Sequence, residues 1–573
     1  MHLKTPKIHQ GGFGMQYMDK YQNWLNSDRL SSEEKQELLS IQNDDKEIQE
    51  RFSKDLEFGT GGLRGVLGMG TNRINRYMVR KTTQGLAQYI LQNGEEACRR
   101  GIVIAHDNRR FSTEFALETA GVLAANGIKA YLFDSLRPTP ELSFSVRELK
   151  CFGGVMITAS HNPPEYNGYK LYDERGCQLV PHINDLVVEQ IETVKDPLSV
   201  RALTKEEAGS LIEILGSEID EAYYRRVMSV SIHDDLAKDN LKVIYSPQHG
   251  TGNVPVREVL GRLGYRVIPV EEQCVPDTEF SKTLNPNPET ADAYVLALEY
   301  AKRENADIVI TTDPDCDRLG VAVKQNGEYI RMTGNQSAAV LLEYVLSQRT
   351  KKGTLPKNGV MFNTIVTSDL GDRICEEYGV SVEKTLTGFK FIGDKVYRHE
   401  TLGDKVFVFG YEESYGCLAA DFVRDKDAVQ ASLLLCEAAA YYQAEGKTLM
   451  DVLYALYEKH GFFLDALDNF TFKGLDGAEK IQSLVNGLRA DPPTCVGTVA
   501  VRRLEDYESA EMQNEGFPKS NVLRFLMEDG SWVAVRPSGT EPKCKFYFSI
   551  VGKDLASAQE KLKEMRKVFE KNC

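Results

Sequence analysis

The feature that most constrains the fold is an alternation of short apolar runs with amphipathic stretches, repeated three times along the chain. The first series contains GIVIAHD, STEFALETAGVLAANG, KAYLFD and GGVMITAS, between residues 101 and 160. Short apolar runs that alternate with helical stretches predict parallel or mixed sheets covered by helices. A second series runs from KVIYSP to DIVITTD, and a third from VMFNTIV to AVQASLLLCEAAAYYQAEG. We therefore expect three similar α/β domains with mixed sheets.

The pattern changes after about residue 463. The helix-like segment GAEKIQSLVNGLRA precedes the hairpin sequence NVLRFLMEDGSWVAVR, in which Glu-Asp-Gly-Ser supplies the turn. We expect this part to form a smaller C-terminal α+β domain. At about 150 residues per domain, a chain of this length suggests roughly four domains. We place them at residues 1–235, 236–333, 334–462 and 463–573, with the active site in the central cleft.

The composition favours small-molecule chemistry. The net charge of -15 and the pI near 5.3 argue against general binding to nucleic acid or to anionic membranes. The 11 cysteines form no C-x-x-C pair, which is typical of a reducing compartment. The N-terminus has no apolar signal segment, and the most apolar stretch is interrupted by Gln430 and Glu437. We expect a cytoplasmic protein without a nucleic-acid or membrane partner.

The sequence DPDCDR, directly after the apolar run DIVITT, places three carboxylates close together at Asp313, Asp315 and Asp317. Crowded carboxylates are unfavourable without a cation, and hard oxygen ligands suit magnesium or calcium. An EF-hand is excluded, because Arg318 and Lys324 stand where such a loop needs glycine and glutamate. The alternative is a solvated acidic turn. We favour a magnesium site with one position left for a phosphate oxygen.

The segment TASHNPPEYNGYK, residues 158–170, puts Ser160 beside His161 at the end of a predicted strand. Neighbours at a strand end point in opposite directions, and no G-x-S-x-G elbow is present, so we disfavour a hydrolase triad. A serine N-cap in an Asn-Pro turn would explain Ser160 and Asn162, but it leaves Lys170 unexplained. The motif alone leaves a structural and a catalytic interpretation equally open.

Three further loops combine glycines with charged or hydroxyl groups. They are EFGTGGLRG (57–65), the pair TLTGFK (385–390) and GYEES (410–414), and RPSGTEPKCK (536–545). Glycine amides with arginine, lysine and hydroxyl groups suit a phosphate dianion, and carboxylates accept hydrogen bonds from sugar hydroxyls. Each of these loops taken alone is also compatible with an ordinary turn.

Taken together and in this order, the five loops resemble those of the α-D-phosphohexomutase superfamily, most closely the phosphoglucomutases. The resemblance extends from EFGTGGLRG to RPSGTEPK and leaves only the start of the chain unassigned. TASHNPPEYNGYK with DPDCDR is a highly specific pair, and GYEES and RPSGT support it. The resemblance implies an isomerase-class intramolecular phosphotransferase that uses one Mg²⁺ per chain, and glucose 1,6-bisphosphate as activator and intermediate.

The resemblance also implies the roles of individual residues. It implies a phosphoserine at Ser160 whose phosphate completes the metal site of Asp313, Asp315 and Asp317. Catalytic roles are implied for Ser160, Lys170, His161, Arg64 and Lys390. Substrate contacts are implied for Arg318, Gly388, Glu412, Ser414, Arg536, Ser538, Gly539, Thr540, Lys543 and Lys545. Of the last two, either lysine qualifies for the phosphate contact.

The implied reaction interconverts glucose 1-phosphate and glucose 6-phosphate. GYEES resembles the glucose-specific form, whereas the stretch that begins at EFGTGGLRG also resembles the branch that contains phosphopentomutases. A phosphopentomutase or phosphomannomutase is therefore an alternative, and a magnesium-dependent sugar-phosphate phosphatase is a further one. A sugar-phosphate-binding protein without catalysis is a third possibility. We expect a monomer or homodimer whose C-terminal domain closes over bound substrate.

Overall fold

The structure is a computed structural model, which describes residues 12–59, 62–471, 477–537 and 543–570. The chain begins with three helices, α1 (Gly12–Leu25), α2 (Ser32–Ser40) and α3 (Asp45–Phe52). The aromatic centre of this group consists of Tyr21, Trp24 and Phe52. The ring centroids of Tyr21 and Trp24 each lie less than 6 Å from that of Phe52. Tyr77 continues the same cluster, so the helices pack against the first α/β unit.

The first α/β unit contains a seven-stranded mixed sheet. Its strands are β1 (Phe58–Gly59), β2 (Gly62–Val66), β3 (Ile102–His106), β4 (Ala130–Phe133), β5 (Gly153–Ile157), β6 (Tyr166–Asp173) and β7 (Ile212–Leu215). Its helices are α4 (Arg76–Gln92), α5 (Glu95–Arg100), α6 (Ser112–Ala125), α7 (Thr139–Glu148), α8 (Pro181–Thr193), α9 (Lys205–Ala208) and α10 (Ser217–Met228). The order is β1-β2-β6-β5-β3-β4-β7, and β5, β3, β4 and β7 run parallel. Strands β3 and β5 are buried throughout, as continuous apolar runs predict.

The second unit has a five-stranded sheet. Its strands are β8 (Lys242–Ser246), β9 (Arg266–Pro269), β10 (Ile308–Thr312), β11 (Leu319–Gln325) and β12 (Glu328–Arg331), and its helices are α11 (Asn253–Arg262), α12 (Glu271–Cys274) and α13 (Val295–Glu304). The order is β12-β11-β10-β8-β9, with β10, β8 and β9 parallel. Strands β10 and β11 pair antiparallel from Thr312 opposite Leu319, so DPDCDR forms the tight connection between them.

The third unit has a four-stranded sheet with the order β14-β13-β15-β16. These strands are β13 (Gly359–Thr364), β14 (Ser381–Thr385), β15 (Val406–Tyr411) and β16 (Cys417–Leu418), and the helices are α14 (Gly334–Lys351), α15 (Leu370–Tyr378), α16 (Phe389–Leu402), α17 (Ala428–Ala444) and α18 (Leu449–His460). Helix α17 is apolar on nearly all sides and lies in the largest hydrophobic cluster, which joins the second and third units.

The fourth unit is a six-stranded antiparallel sheet with the order β17-β22-β21-β20-β19-β18. Its strands are β17 (Phe462–Thr471), β18 (Cys495–Val496), β19 (Val499–Asp506), β20 (Leu523–Met527), β21 (Trp532–Pro537) and β22 (Lys543–Gly552), and its helices are α19 (Gly477–Ala490), α20 (Ala510–Asn514) and α21 (Leu555–Glu570). Helices α19 and α21 cover one face. The other face packs Trp532 and Tyr547 against Ile365 and Leu386 of the third unit.

The expected architecture is confirmed: three α/β units with mixed sheets are followed by a smaller α+β unit. The predicted hairpin also forms, since Leu526 pairs with Trp532 across the Glu-Asp-Gly-Ser turn. Among the described residues, no helix combines the length and the apolar character needed to cross a membrane.

Candidate active site

A polar cleft of about 770 Å³ lies where the four units meet. Each unit contributes residues to its walls, which agrees with the predicted position of the site at the centre of the molecule. The predicted site residues on these walls are Arg64, His161, Arg318, Gly388, Lys390, Glu412, Ser414, Arg536 and Lys545. Ser538, Gly539 and Thr540 lie outside the described residues.

The acidic turn between β10 and β11 is buried. Asp313 and Asp315 are 0% exposed and Asp317 is 2% exposed. The turn is held by its own backbone, because Asp313 Oδ1 accepts hydrogen bonds from the amides of Asp317 at 3.1 Å and Arg318 at 3.0 Å. Cys316 takes the left-handed conformation, with φ of 55°, that this tight reversal needs.

The three carboxylates form a group that can hold a metal ion. Each offers an oxygen, and these oxygens lie within 4.8 Å of one another. In the described part of the chain, Asp315 Oδ1 and Asp317 Oδ1 are buried without a hydrogen-bond partner. Buried carboxylate oxygens are normally paired or bound to a cation. The donor set therefore fits a hard divalent cation such as Mg²⁺ or Ca²⁺.

The electrostatics of the turn agree with this fit. Burial, with added repulsion from Asp315 and Asp317, raises the pKa of Asp313 well above its usual range. Burial alone would also raise the pKa of Asp315, but attraction to Lys170 lowers it below its ordinary value. The three carboxylates thus compete for positive charge, and a bound cation would relieve that competition.

Ser160 is 4% exposed and lies three residues beyond the end of β5, next to His161 on the cleft wall. Its hydroxyl donates to Asp313 Oδ2 at 3.0 Å, which joins the serine loop of the first unit to the acidic turn of the second. Its Oγ also lies 3.2 Å from His161 Nδ1. The expectation that the two neighbouring side chains point apart is therefore wrong. Ser160 has a φ of 54°, so the chain turns here and strand geometry does not apply.

His161 and Arg64 stand together at the cleft wall. Burial and the nearby cations of Arg318 and Arg64 lower the pKa of His161 well below its usual range, so its imidazole is neutral at neutral pH. Arg64 lies on β2 and donates through Nη1 to Asn162 Oδ1 at 3.0 Å. The antiparallel pairing of β2 with β6 brings this arginine beside the serine loop.

Lys170 lies on β6 and is 8% exposed. Its Nζ contacts Asp315 Oδ2 at 2.8 Å, so it reaches the acidic turn from the first unit. Thr139, at the start of α7, binds the same carboxylate oxygen at 3.0 Å. Lys170 therefore meets the serine loop through the acidic turn that both contact.

Lys426 is a further residue of the site that we missed in the sequence. It lies on the cleft wall between β16 and α17, and its Nζ is 3.0 Å from Asp317 Oδ2 and 3.0 Å from Asp425 Oδ1. Burial alone would lower the pKa of Lys426, but these two carboxylates hold it above its ordinary value. The charged run RDKD before an apolar helix was the signal that could have indicated it.

The third unit supplies carboxylates to the cleft. Glu412 follows β15, is 5% exposed and accepts a hydrogen bond from the amide of Gly388 at 2.9 Å. Gly388 has a φ of 115°, which favours glycine at the start of α16. Burial and repulsion from Glu412 raise the pKa of Glu413 to about 7. Burial lowers the pKa of Lys390 on the same wall.

The fourth unit contributes cations to the cleft wall. Arg536 on β21 and Lys545 on β22 are partners in the antiparallel register, and both line the cleft. Burial, with repulsion from Arg536, lowers the pKa of Lys545. Of the two candidate lysines, the structure places Lys545 on the cleft wall, while Lys543 begins the same strand opposite Thr471. Arg318 pairs with Glu289 at 2.7 Å on the adjoining wall.

Comparison with known proteins agrees with this arrangement. Four models of the phosphoglucomutase/phosphomannomutase family match: α/β/α domain I at residues 55–197, α/β/α domain II at 221–327, α/β/α domain III at 333–460 and the C-terminal domain at 484–566. A phosphoglucomutase of Staphylococcus aureus strain MRSA252 is 38% identical over 534 residues, covering 91% of this chain and 95% of that protein.

Solved structures share the fold. A phosphoglucomutase/phosphomannomutase family protein from Burkholderia thailandensis has a TM-score of 0.67 at 18% identity, covering 90% of this chain and 97% of that one. The open form of pp63/parafusin, a phosphoglucomutase from Paramecium, has a TM-score of 0.68 at 17% identity, covering 90% and 94%. The chain therefore belongs to the phosphoglucomutase/phosphomannomutase family of the α-D-phosphohexomutase superfamily.

Proposed function

We propose that the chain is an enzyme that interconverts glucose 1-phosphate and glucose 6-phosphate, the reaction of a phosphoglucomutase. The observation that carries the proposal is the contact between Ser160 Oγ and Asp313 at 3.0 Å, in a buried acidic group beside a cleft lined by all four units. The Staphylococcus aureus relative, which matches over most of both chains, supports the same assignment.

In the proposed reaction, Ser160 carries a phosphoryl group. A free hydroxyl of the sugar monophosphate attacks the phosphorus, the bond to Ser160 Oγ breaks, and the hydroxyl proton passes to a base. The resulting glucose 1,6-bisphosphate reorients, its other phosphoryl group returns to Ser160 Oγ, and the proton is given back. We assign the acid–base role to Lys170, which contacts Asp315 of the acidic turn. His161, which contacts Ser160 Oγ, would assist it, as would Arg64 and Lys390, which line the cleft.

We further propose that the acidic turn holds one Mg²⁺, with Asp313, Asp315, Asp317 and a phosphate oxygen on Ser160 as ligands. The unpartnered carboxylate oxygens support this assignment. When bound, the ion neutralises charge on the transferring phosphoryl group. Glucose 1,6-bisphosphate would act as activator, because it restores the phosphoryl group to a serine that has lost it.

The opposite walls are assigned to the rest of the substrate. We propose that Glu412 and Ser414 bind sugar hydroxyls, since carboxylate and hydroxyl oxygens accept their hydrogen bonds. Gly388, whose amide donates to Glu412, is assigned to the same part of the substrate site. The non-transferring phosphate is assigned to a group of hydroxyls, amides and cations, namely Arg536, Ser538, Gly539, Thr540, Lys543 and Lys545. Arg318 is assigned to stabilising charge on the transferring phosphoryl group. Of the two lysines we prefer Lys545, because it lines the cleft. The domain limits at 235, 333 and 462, a cytoplasmic location and a monomeric or dimeric state complete the proposal.

A coupled assay tests the function. Glucose 1-phosphate, mannose 1-phosphate and ribose 1-phosphate are compared in the presence of Mg²⁺ and a trace of the corresponding bisphosphate. We expect glucose 1-phosphate to give the highest kcat/KM and Ser160→Ala to remove nearly all turnover. Full activity of Ser160→Ala would refute the phosphoserine. Steady release of inorganic phosphate from glucose 1-phosphate would instead identify a phosphatase.

A further inference from the structure

The backbone of the serine loop is held in a conformation that its sequence disfavours. Ser160 takes a left-handed φ of 54°, which residues other than glycine adopt only where their surroundings compensate. This conformation directs Oγ to Asp313 Oδ2 and His161 Nδ1 together. The surroundings that stabilise it must therefore act on the loop's peptide groups.

Those peptide groups converge on one buried side chain, Arg109. Its Nη2 donates to the carbonyl oxygens of Ser160 and Asn162, each at 2.6 Å. Its Nη1 donates to the carbonyl oxygens of Pro163 at 2.8 Å and Tyr166 at 3.1 Å. Four carbonyls of the loop thus share a single planar guanidinium, which fixes their relative positions.

Arg109 is itself held in place by the carboxylate of Asp107. Asp107 Oδ2 accepts from Arg109 Nε at 3.1 Å, and the two side chains are 0% exposed. The same oxygen accepts from the Thr158 hydroxyl at 2.7 Å, and Thr158 Oγ1 accepts from the amide of Ser160 at 2.8 Å. Both the amide and the carbonyl of Ser160 therefore connect to this one ion pair.

The second unit also contacts Arg109. The ring of Phe280 lies 5.1 Å from the guanidinium of Arg109, within the range of a cation–π contact. Phe280 and Asp313 belong to the same unit, so the second unit contacts both Arg109 and Ser160. The neighbouring Arg110 differs from Arg109 in its exposure and its partner, since it is half-exposed and pairs with Glu279 at the surface.

We propose that Arg109, held by Asp107, is a positioning residue for phosphoryl transfer, which orients Ser160 Oγ toward the acidic turn and the cleft. This inference rests on the proposed function. A displacement of the reacting oxygen by about 1 Å is enough to lower a rate on the order of 100-fold. Because Arg109 contacts the loop and is not among the described residues that line the cleft, its loss should reduce kcat and leave substrate binding nearly intact.

The test compares Arg109→Lys with the matched control Arg110→Lys. Lysine keeps the positive charge but cannot bind four carbonyls in one plane. We expect Arg109→Lys to lower kcat about 100-fold while KM for glucose 1-phosphate changes by less than about twofold. Hydrogen exchange should become faster in the peptide that spans 158–170 and stay unchanged elsewhere. Arg110→Lys should match the wild type in all three measurements.

A second pair of variants keeps the test valid if Arg109→Lys does not fold. Thr158→Val removes the hydroxyl that joins Ser160 to Asp107, and Thr158→Ser retains it. We expect the valine variant to lose kcat and exchange protection, and the serine variant to keep both. A kcat within about threefold of wild type for Arg109→Lys, or for Thr158→Val if the former does not fold, would overturn the inference. Unchanged exchange protection in that variant would overturn it equally.

If the wild type does not turn over glucose 1-phosphate, the proposed function fails, whereas the exchange data still decide whether Arg109 holds the loop.

Discussion

Replacing Glu141 with glutamine tests how the interior accommodates a carboxyl group that lacks a partner. Glu141 lies in α7 and is 0% exposed, and in the described part of the chain neither of its oxygens has a hydrogen-bond partner. Arg137 Nε is 3.9 Å away, but this arginine binds Asp220 at 2.7 and 2.9 Å. Burial, with repulsion from Asp220 and Asp427, raises the pKa of Glu141 well above its usual range.

The effect on stability follows from this direction. The folded state holds a proton on Glu141 that the unfolded state, with a pKa near 4.3, releases. Between the unfolded and folded pKa values the native state binds more protons, so this group's contribution to stability falls as pH rises. The slope is about 1.4 kcal/mol per pH unit, and for a unit of this size it corresponds to roughly 3–6 °C in Tm per pH unit. Glutamine does not titrate, so this pH dependence should be absent from the variant.

Thermal unfolding of the wild type and Glu141→Gln, followed from about pH 5.5 to about pH 7.5, checks this reasoning. We expect the variant to gain Tm relative to wild type as pH rises. Glu148→Gln is the matched control, because Glu148 is exposed on the same helix. If the Tm curves of the wild type and Glu141→Gln run parallel across this range, Glu141 is ionised in the folded protein and the argument from burial is wrong.

Three further predictions concern the cleft. Chelation with EDTA should abolish turnover and lower Tm, and added Mg²⁺ should restore both, because the three clustered carboxylates repel one another without a cation. Lys426→Met should lower kcat roughly 10- to 100-fold in steady-state assays, because the lysine contacts the metal-site residue Asp317 at 3.0 Å. In a Trp24→Phe variant, glucose 1,6-bisphosphate should change the emission of Trp532, the one tryptophan left. Arg524 lies 4.7 Å from that indole at the contact of the third and fourth units, which closure would alter.

Each of these experiments has its own control. Lys447→Met removes an exposed lysine of the same unit and should leave kcat unchanged. Potassium chloride at matched ionic strength should not replace Mg²⁺ after chelation. Unphosphorylated glucose should leave the emission of Trp532 as it is. The corresponding prediction would be contradicted by a wild-type kcat in Lys426→Met or by turnover in the presence of EDTA. The third would be contradicted by an unchanged Trp532 emission at a concentration of glucose 1,6-bisphosphate that saturates turnover.

The strands and helices could be predicted because their sequence signal is local. The apolar runs at 153–157 and 308–312 are both strands buried along their whole length. Their burial on both faces is what excludes charged residues from these runs. The acidic turn was visible for a related reason, since three aspartates at alternate positions directly follow a buried strand. Periodicity and strand ends thus carried the fold and the metal-site prediction.

The contact between Ser160 and His161 could not be predicted in this way. Our expectation extended strand geometry past Ile157, but the chain turns at Ser160, where φ is 54°. The residue that holds this turn, Arg109, precedes Ser160 by 51 positions. Local propensity disfavours a left-handed serine, so only knowledge of the long-range contacts would have corrected the expectation.

The charge balance of the site was equally hidden, for a reason that bears on the chemistry. Lys170 reaches Asp315 across 145 residues, and Lys426 and Arg318 each divide their charge between the acidic turn and another carboxylate. Because Lys426 and Arg318 are shared in this way, they neutralise the three aspartates only in part, and among the described residues Asp315 Oδ1 and Asp317 Oδ1 have no hydrogen-bond partner. This charge balance supports the proposal that a divalent cation binds here before a phosphate group approaches Ser160. The sequence displays the carboxylates, but only the fold shows which cations contact them and how those cations are shared.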